Sequence, residues 1–411
     1  MGFADRGTAR IMLASRTEAS NERSDRTWRR WSSFCQRQCQ GLSPILSGVP
    51  TNDSTLLFKG FFELLRAGRF KVSGEFRGLR EKPVVGSTLR SARGDLSAAF
   101  KRRILWSPLH LPTNQDALLP ELELQFRAFD NEDPPAHQQK AISPKFLRIL
   151  GLIGSHRIQN SATDQAVDLL IGGYFFACRI CEIAKTPISG RTKKCRLRNF
   201  CFRTKGKTVI PLGQRILEAF YITITFEDQK NGEKLEKRTQ RRTVDPSLCP
   251  VLRFGRAILR ILKFVPNANP DTFVCATASP EVRTTVITSE FTLKTIRSGC
   301  EIGGGERGLG FRPADIGNRS IRSGAAMALF LTNKHPTRIM LLGRWKSLAF
   351  LKYIRAQTLE WTLNMSDSMI DFDHFEDLTA GRRVERNQTI INNFNDKDWR
   401  QQVLPRTRLD F

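Results

Sequence analysis

The sequence is short of acid. Against 66 lysines and arginines it has 40 aspartates and glutamates, a formal charge of +26. That excess favours a polyanionic partner, nucleic acid first among them. A ribosomal or RNA-binding protein would share it, so charge alone selects no class. No uninterrupted apolar run approaches the length of a membrane span, which argues against a membrane partner. A secretory leader is also missing: the first twenty residues mix Asp5, Arg6, Arg10 and Arg16 with small residues. The nine cysteines are accordingly read as reduced intracellular thiols, mostly buried. Cys178 and Cys181 form a CxxC, but Cys195 and Cys201 follow at a loose spacing with no suitably placed histidine, so no metal is expected. Gly303-Gly304-Gly305 lacks both a Walker pattern and a dinucleotide fingerprint; it reads as a flexible run, and no nucleotide cofactor is expected. Internal repeats and coiled-coil heptads are absent. What remains is a chain of 411 residues, long enough for two globular domains.

After a polar N-terminus over residues 1–22, helical periodicity begins near Ser24. Trp28, Trp31, Phe34 and Cys35 share an apolar face, while Arg26, Arg29, Arg30 and Arg37 supply cationic edges suited to phosphates. Further helices are predicted over Ser54–Ala67, Thr88–Ile104 and Leu118–Phe129, the second carrying Arg90 and Arg93. Residues 23–130 thus read as one helical domain with basic faces. The polar stretch holding Pro134 and Pro135 ends the last helix and marks a linker at 131–142.

Helices over Ser143–Ser155 and Thr163–Ala177 follow, the second strongly apolar. At its end stand Arg179 and Glu182, three apart, a spacing that lets the acid orient the guanidinium; a surface ion pair would leave the same trace. A basic strip follows: Arg191, Lys193, Lys194, Arg196, Arg198, Arg203, Lys205 and Lys207, with no acid among them. It suits a phosphate track, contributing salt-dependent affinity without sequence readout. Short strands are predicted around Gly206. The run from Tyr221 to Phe226 then meets Asn231-Gly232, a hairpin signal, with a polar return strand through Arg242. A helix over Val251–Val265, a short strand at Thr272–Cys275 and a helix over Thr288–Cys300 complete the approach to the most informative stretch.

That stretch runs from Phe311 to Arg355. Helices are predicted over Ser320–Leu331, Thr337–Leu342 and Leu348–Ala356, carrying Arg319 and Arg322, Gly343-Arg344, and Tyr353. Arginine stays charged and presents a rigid fork of donors that can clamp phosphate oxygens. Tyrosine can attack phosphorus and hold a cleaved end covalently. Basic residues lining a solvated helix would produce an RxxR just as well.

The segment resembles the C-terminal motif of tyrosine recombinases, the phage-type integrases, especially divergent forms from eukaryotic genomes and mobile elements. Arg319-Ser320-Ile321-Arg322 stands at the HxxR site, Gly343-Arg344 at the later glycine–histidine site, and Tyr353 falls nine residues after Arg344. Two departures are visible: Arg319 replaces a histidine, and Arg344 a histidine or tryptophan, with Trp345 adjacent. Arginine can donate to a phosphate but is a poor general base near neutral pH. The resemblance implies that Tyr353 is the nucleophile, that Arg179, Arg319 and Arg322 hold the phosphate with Glu182 supporting, that Arg344 is catalytic at the glycine–histidine position, and that a hairpin lysine protonates the leaving 5′ oxygen. Lys230 or its rival Lys234 fills that last role.

It further implies a mainly α fold with a small β component: a helical core-binding domain clamping double-stranded DNA, and a mixed α/β catalytic domain over residues 143–360. No cofactor is required. The tail, 361–411, carries Met369, Ile370, Phe372 and Phe375 among acids and would dock on another protomer of a homo-oligomer on DNA. The place of action would be intracellular, nuclear in a eukaryote. The expected activity is DNA cleavage and rejoining for recombination or integration. The alternative is a recombinase-derived DNA-binding protein with impaired catalysis, for which Arg319 and Arg344 are the argument.

Overall fold

The computed structural model describes residues 16–71, 73–76, 78, 83–134, 139–154, 158–187, 192–229, 232–278, 284–332, 334–351 and 354. They build a mainly helical protein with a smaller β component, and the chain divides into two units between His137 and Gln138.

In the N-terminal unit the tryptophan-bearing pattern becomes α1, Glu18–Gln38. It begins earlier than the apolar periodicity suggests, because Thr17 accepts a hydrogen bond from the Ser20 N–H and Glu18 meets the positive helix end. Trp31 is fully buried, stacked on Phe58 at 4.9 Å and edge-on to Phe61 at 5.3 Å. Its indole N–H donates to the Pro44 carbonyl at 2.8 Å, so the ring's one polar atom is satisfied. Three more helices, α2 Thr51–Arg66, α3 Gly86–Ile104 and α4 Pro120–Glu132, close this core. A small hairpin, β1 His110–Leu111 with β2 Asn114–Leu118, precedes α4 where a helix start was predicted. Gln115 sustains it by donating to the carbonyls of Leu111 and Ser107. The end of α4 is tied back: Arg66 donates to Asp133 at 2.6 Å and Glu132 at 3.2 Å, and Asp133 also accepts from the Gly86 N–H.

The second unit opens with α5 Pro144–Ile153 and α6 Ala162–Phe175, capped by the side chains of Ser143 and Ser161. A single turn, α7 Ile180–Ile183, leads to a four-stranded antiparallel sheet in the order β4-β3-β5-β6. Its strands are β3 Phe200–Arg203, β4 Val209–Ile210, β5 Tyr221–Asp228 and β6 Lys234–Arg241. The hairpin signal is realised: β5 and β6 pair from Tyr221 with Arg241 to Asp228 with Lys234, and Gly232 adopts φ 86°. Phe200, Phe202, Ile222, Ile224 and Phe226 form one core with α8, Pro250–Phe264. Between α6 and α8 lies a buried charge cluster. Asp168 accepts from Arg253 at 3.1 Å and Arg260 at 3.0 Å, with Arg256 at 3.6 Å.

The strand expected at Thr272–Cys275 moves to β7, Ala276–Thr277, paired with β8, Thr285–Val286. The preceding residues are engaged elsewhere: the Leu197 N–H donates to Thr272 and the Val274 N–H to Cys195. Next comes α9, Ser289–Ile302, and the glycine run does more than loosen the chain. Gly304 turns left-handed at φ 79° and starts the short α10, Gly305–Leu309. The predicted helix at Ser320–Leu331 forms as α11, followed by α12, Pro336–Gly343. At the third predicted helix a 3-10 turn spans Leu348–Phe350, beyond which only Leu351 and Ile354 are described. Tyr353, Lys230, Arg191 and the tail lie outside the described residues.

Candidate active site

The apolar α6 ends in a tight reversal, Ala177 taking φ 43°, which delivers Arg179 to the N-cap of α7. Glu182 reaches back as in a capping box: one carboxylate oxygen accepts the Arg179 N–H at 2.8 Å and the other its guanidinium at 3.2 Å. Backbone and side chain of Arg179 are thus fixed by one acid. Glu182 is fully buried, whereas the Arg179 side chain remains one-fifth exposed, so part of its fork faces outward.

Arg344 arrives from the other direction. As the C-cap of α12 it adopts a left-handed conformation, φ 58°, and its side chain turns inward. It is fully buried, donates to Glu182 at 2.7 Å and lies 3.5 Å over the Phe226 ring. Glu182 is therefore shared by two arginines, and the guanidinium of Arg344 faces a carboxylate and an aromatic ring. In this geometry Arg344 holds Glu182. Gly343 is required next to it: a Cβ there would fall 1.6 Å from the Trp345 ring.

Arg322, on α11, is buried and donates to the carbonyls of Ala177 and Gly343. Its guanidinium stacks 4.3 Å from the Trp345 ring centroid. The structure thus brings Arg179, Glu182, Arg322 and Arg344 into one connected group from α7, α11 and α12. Arg319, the N-cap of α11, is exposed, and among the described residues no side-chain contact links it to that group. Cys178 sits at the same place, buried, and burial pushes its thiol up to about 12.

One member was not anticipated. Gln229, fully buried at the foot of the β5–β6 hairpin, accepts from Arg179 at 3.3 Å and donates to Glu236 at 2.5 Å. Its only trace in the sequence is a position just before Asn231-Gly232, beside the expected lysine. Of the two lysines considered there, Lys234 is exposed at the start of β6.

The basic strip is partly neutralised from within. Arg196 pairs with Asp271 at 3.0 Å, and Arg198 with Glu227 at 2.9 Å and with Asp271. Arg198 and Asn199 hold the Glu227 carboxyl below the usual carboxylate range. Arg203 donates to Thr223 at 2.8 Å, and Lys194 lies 5.2 Å over Phe273. Lys193, Lys205 and Lys207 stay exposed. In the N-terminal unit Arg29 is exposed and Arg26 half-buried, while Arg30 donates to the Lys71 carbonyl at 3.1 Å. Arg90 pairs with Asp130, and Arg93 lies 5.5 Å over Phe126.

No family model and no curated protein matches this sequence. Solved structures similar to it include two of the Tn1549 transposon integrase. In complex with transposon right-end DNA, that integrase is 13% identical, with 77% of this chain and 86% of that chain covered at a TM-score of 0.40. In complex with circular intermediate DNA it is 12% identical, with 82% and 99% covered at a TM-score of 0.39.

Proposed function

We propose that this chain cleaves and rejoins DNA strands through a tyrosine, in recombination or integration. One observation carries the reading: Arg179 and Arg322, far apart in sequence, are drawn into one group and fixed through Glu182 and the Ala177 and Gly343 carbonyls. Two cations so constrained suit a phosphate whose charge grows in the transition state. Of the chain's three tyrosines, Tyr174 is buried and donates to the Gly324 carbonyl at 3.3 Å, and burial raises its pKa. Tyr221 packs edge-on against Phe220 within β5. The role of nucleophile goes to Tyr353 on the resemblance, since it stands nine residues after Arg344.

In this reading Arg179, Arg319 and Arg322 hold the scissile phosphate. The Tyr353 oxygen attacks phosphorus, the bond to the 5′ oxygen breaks, and that oxygen takes a proton from Lys230 or Lys234. The 3′-phosphotyrosyl link is later attacked by a 5′ hydroxyl of the same or another strand, which regenerates the tyrosine. One phosphoester replaces another at each step, so no energy source is consumed. Arg344 serves indirectly, by holding Glu182.

The test is covalent capture. The full chain is incubated with a random-sequence pool of nicked duplexes that lose a short 5′-hydroxyl fragment on cleavage, then denatured, and protein-linked DNA is recovered. Adducts mapping to Tyr353 by mass, and lost in Tyr353→Phe, are expected. Adducts on another residue would overturn the site. No adduct from a pool the protein demonstrably binds would favour the second reading, a DNA-binding protein with impaired cleavage. Arg319 in place of a general base favours that reading as well.

A further inference from the structure

We infer that Gln229 is a positioning residue that latches the lysine-bearing hairpin to Arg179, an inference that rests on the strand-cleavage reading above. The observation is a buried amide between a cation and an anion. Its oxygen accepts from the Arg179 guanidinium at 3.3 Å, and its nitrogen donates to Glu236 at 2.5 Å. The amide serves both partners, whereas a carboxylate at this position would repel Glu236 and a thioether would satisfy neither. The backbone of Gln229 closes the hairpin as well. Its N–H donates to the Glu233 carbonyl at 3.2 Å, and its carbonyl accepts the Gly232 N–H at 2.9 Å. The same residue therefore fixes the turn's foot and touches the phosphate-binding arginine.

The contacts continue beyond it. Glu236 pairs with Arg238, and Arg238 donates to the Leu341 carbonyl in α12 at 2.5 Å. At the end of that helix the Gly343 carbonyl accepts from Arg322, and Arg344 returns to Glu182, which holds Arg179. The polar chain closes on itself, so the hairpin, α7, α11 and α12 share one framework. At Gln229, Glu182, Arg322 and Arg344, which are buried, a link is costly to leave unmade, since an unsatisfied buried polar group loses its full hydration. Gln229 is the link between this framework and the leaving-group acid. Losing it frees the hairpin's foot and lets the proton donor drift from the 5′ oxygen. Displacement on the scale of one ångström can cost about a hundredfold in rate.

The experiment separates proton delivery from phosphate binding. Single-turnover cleavage is measured on a duplex recovered by covalent capture, and on the same duplex with the bridging 5′ oxygen replaced by sulfur. In that substrate the phosphorus–sulfur bond breaks and a thiolate leaves without needing a proton. Gln229→Met is expected to lose roughly 10- to 100-fold on the oxygen substrate and to recover to within a few-fold of the parent on the sulfur substrate. Equal rates for variant and parent on the oxygen substrate would overturn the inference, and so would an equal loss on both substrates. If Gln229→Met does not fold, Glu236→Gln breaks the same chain with an isosteric change and should give a smaller version of the pattern. Hydrogen exchange on the DNA-free protein needs no cleavage: amides of Gly232 and of β6 should exchange at least several-fold faster in Gln229→Met, and unchanged protection would overturn the latch. A parent protein that forms no adduct, with the exchange result still holding, would count against the cleavage reading and leave the latch intact.

Discussion

At the scale of single residues, the proposed reaction turns on which arginine is free to meet a phosphate and which is held by a carboxylate. Arg344 is fully buried on Glu182, so its loss leaves a buried acid with one partner fewer and disturbs Arg179 through it. Arg344→Ala should therefore cut covalent adduct formation strongly while leaving affinity for random duplex within about twofold, since only one cation of 66 is removed and it is not at the surface. Filter binding and adduct yield measured together check this; parallel losses in both would assign Arg344 to the DNA surface. Arg319 is the opposite case, exposed at a helix start where a histidine would bring a base. Arg319→His should maintain or raise the cleavage rate if proton handling limits this chain, and a rise should fade as pH falls below about 6.5 and the imidazole protonates. Single-turnover rates from pH 5.5 to 8 decide it.

At the scale of elements, much of the architecture was legible because apolar periodicity and burial coincide. Trp31, Phe61 and Phe100 mark helices whose rings meet in the N-terminal core, and Asn231-Gly232 marked the hairpin. The capping acid Glu182 could be read as well, since its three-residue spacing from Arg179 is a local property. What could not be read depends on contacts across the fold. Arg344 is known from the sequence only by its place at the glycine–histidine site, and its contacts with Phe226 and Glu182 need the fold; Gln229 is an ordinary strand-end amide until Arg179 and Glu236 flank it. The same holds for Asp168, which looks like a polar interruption of α6 and proves to be the shared counter-ion of three arginines on α8. Removing one member of a buried charge group is costlier than never having it, on the order of 3–5 kcal/mol. Asp168→Ala should destabilise the second unit by about that much, or prevent its folding, whereas Trp31→Ala should cost the first unit roughly 3–5 kcal/mol through cavity formation. Denaturant melts of the two variants, followed by hydrogen exchange, would show which unit opens in each.

At the scale of the whole molecule, the charge of +26 is the largest single fact about the chain, but it is not uniformly available. Arg196 and Arg198 are engaged by Asp271 and Glu227, and Arg90 by Asp130, so these cations already have partners in the free protein. Exposed pairs of this kind are weak, and a DNA phosphate can displace the carboxylate at small cost. Lys193, Lys205 and Lys207 are exposed, and among the described residues no ion pair holds them. Neutralising these three lysines should therefore lower affinity for unrelated duplexes by similar factors and flatten the plot of log affinity against log salt by about one unit for each phosphate left without its cation. Neutralising Arg196 and Arg198 should also lower affinity, because it removes two cations and leaves the Asp271 and Glu227 carboxylates without them. For the unmodified chain, binding should fall steeply with salt, by about a thousandfold or more between 50 and 200 mM if six or more phosphates are contacted. An affinity nearly independent of salt would mean that the basic surface is not where DNA lies.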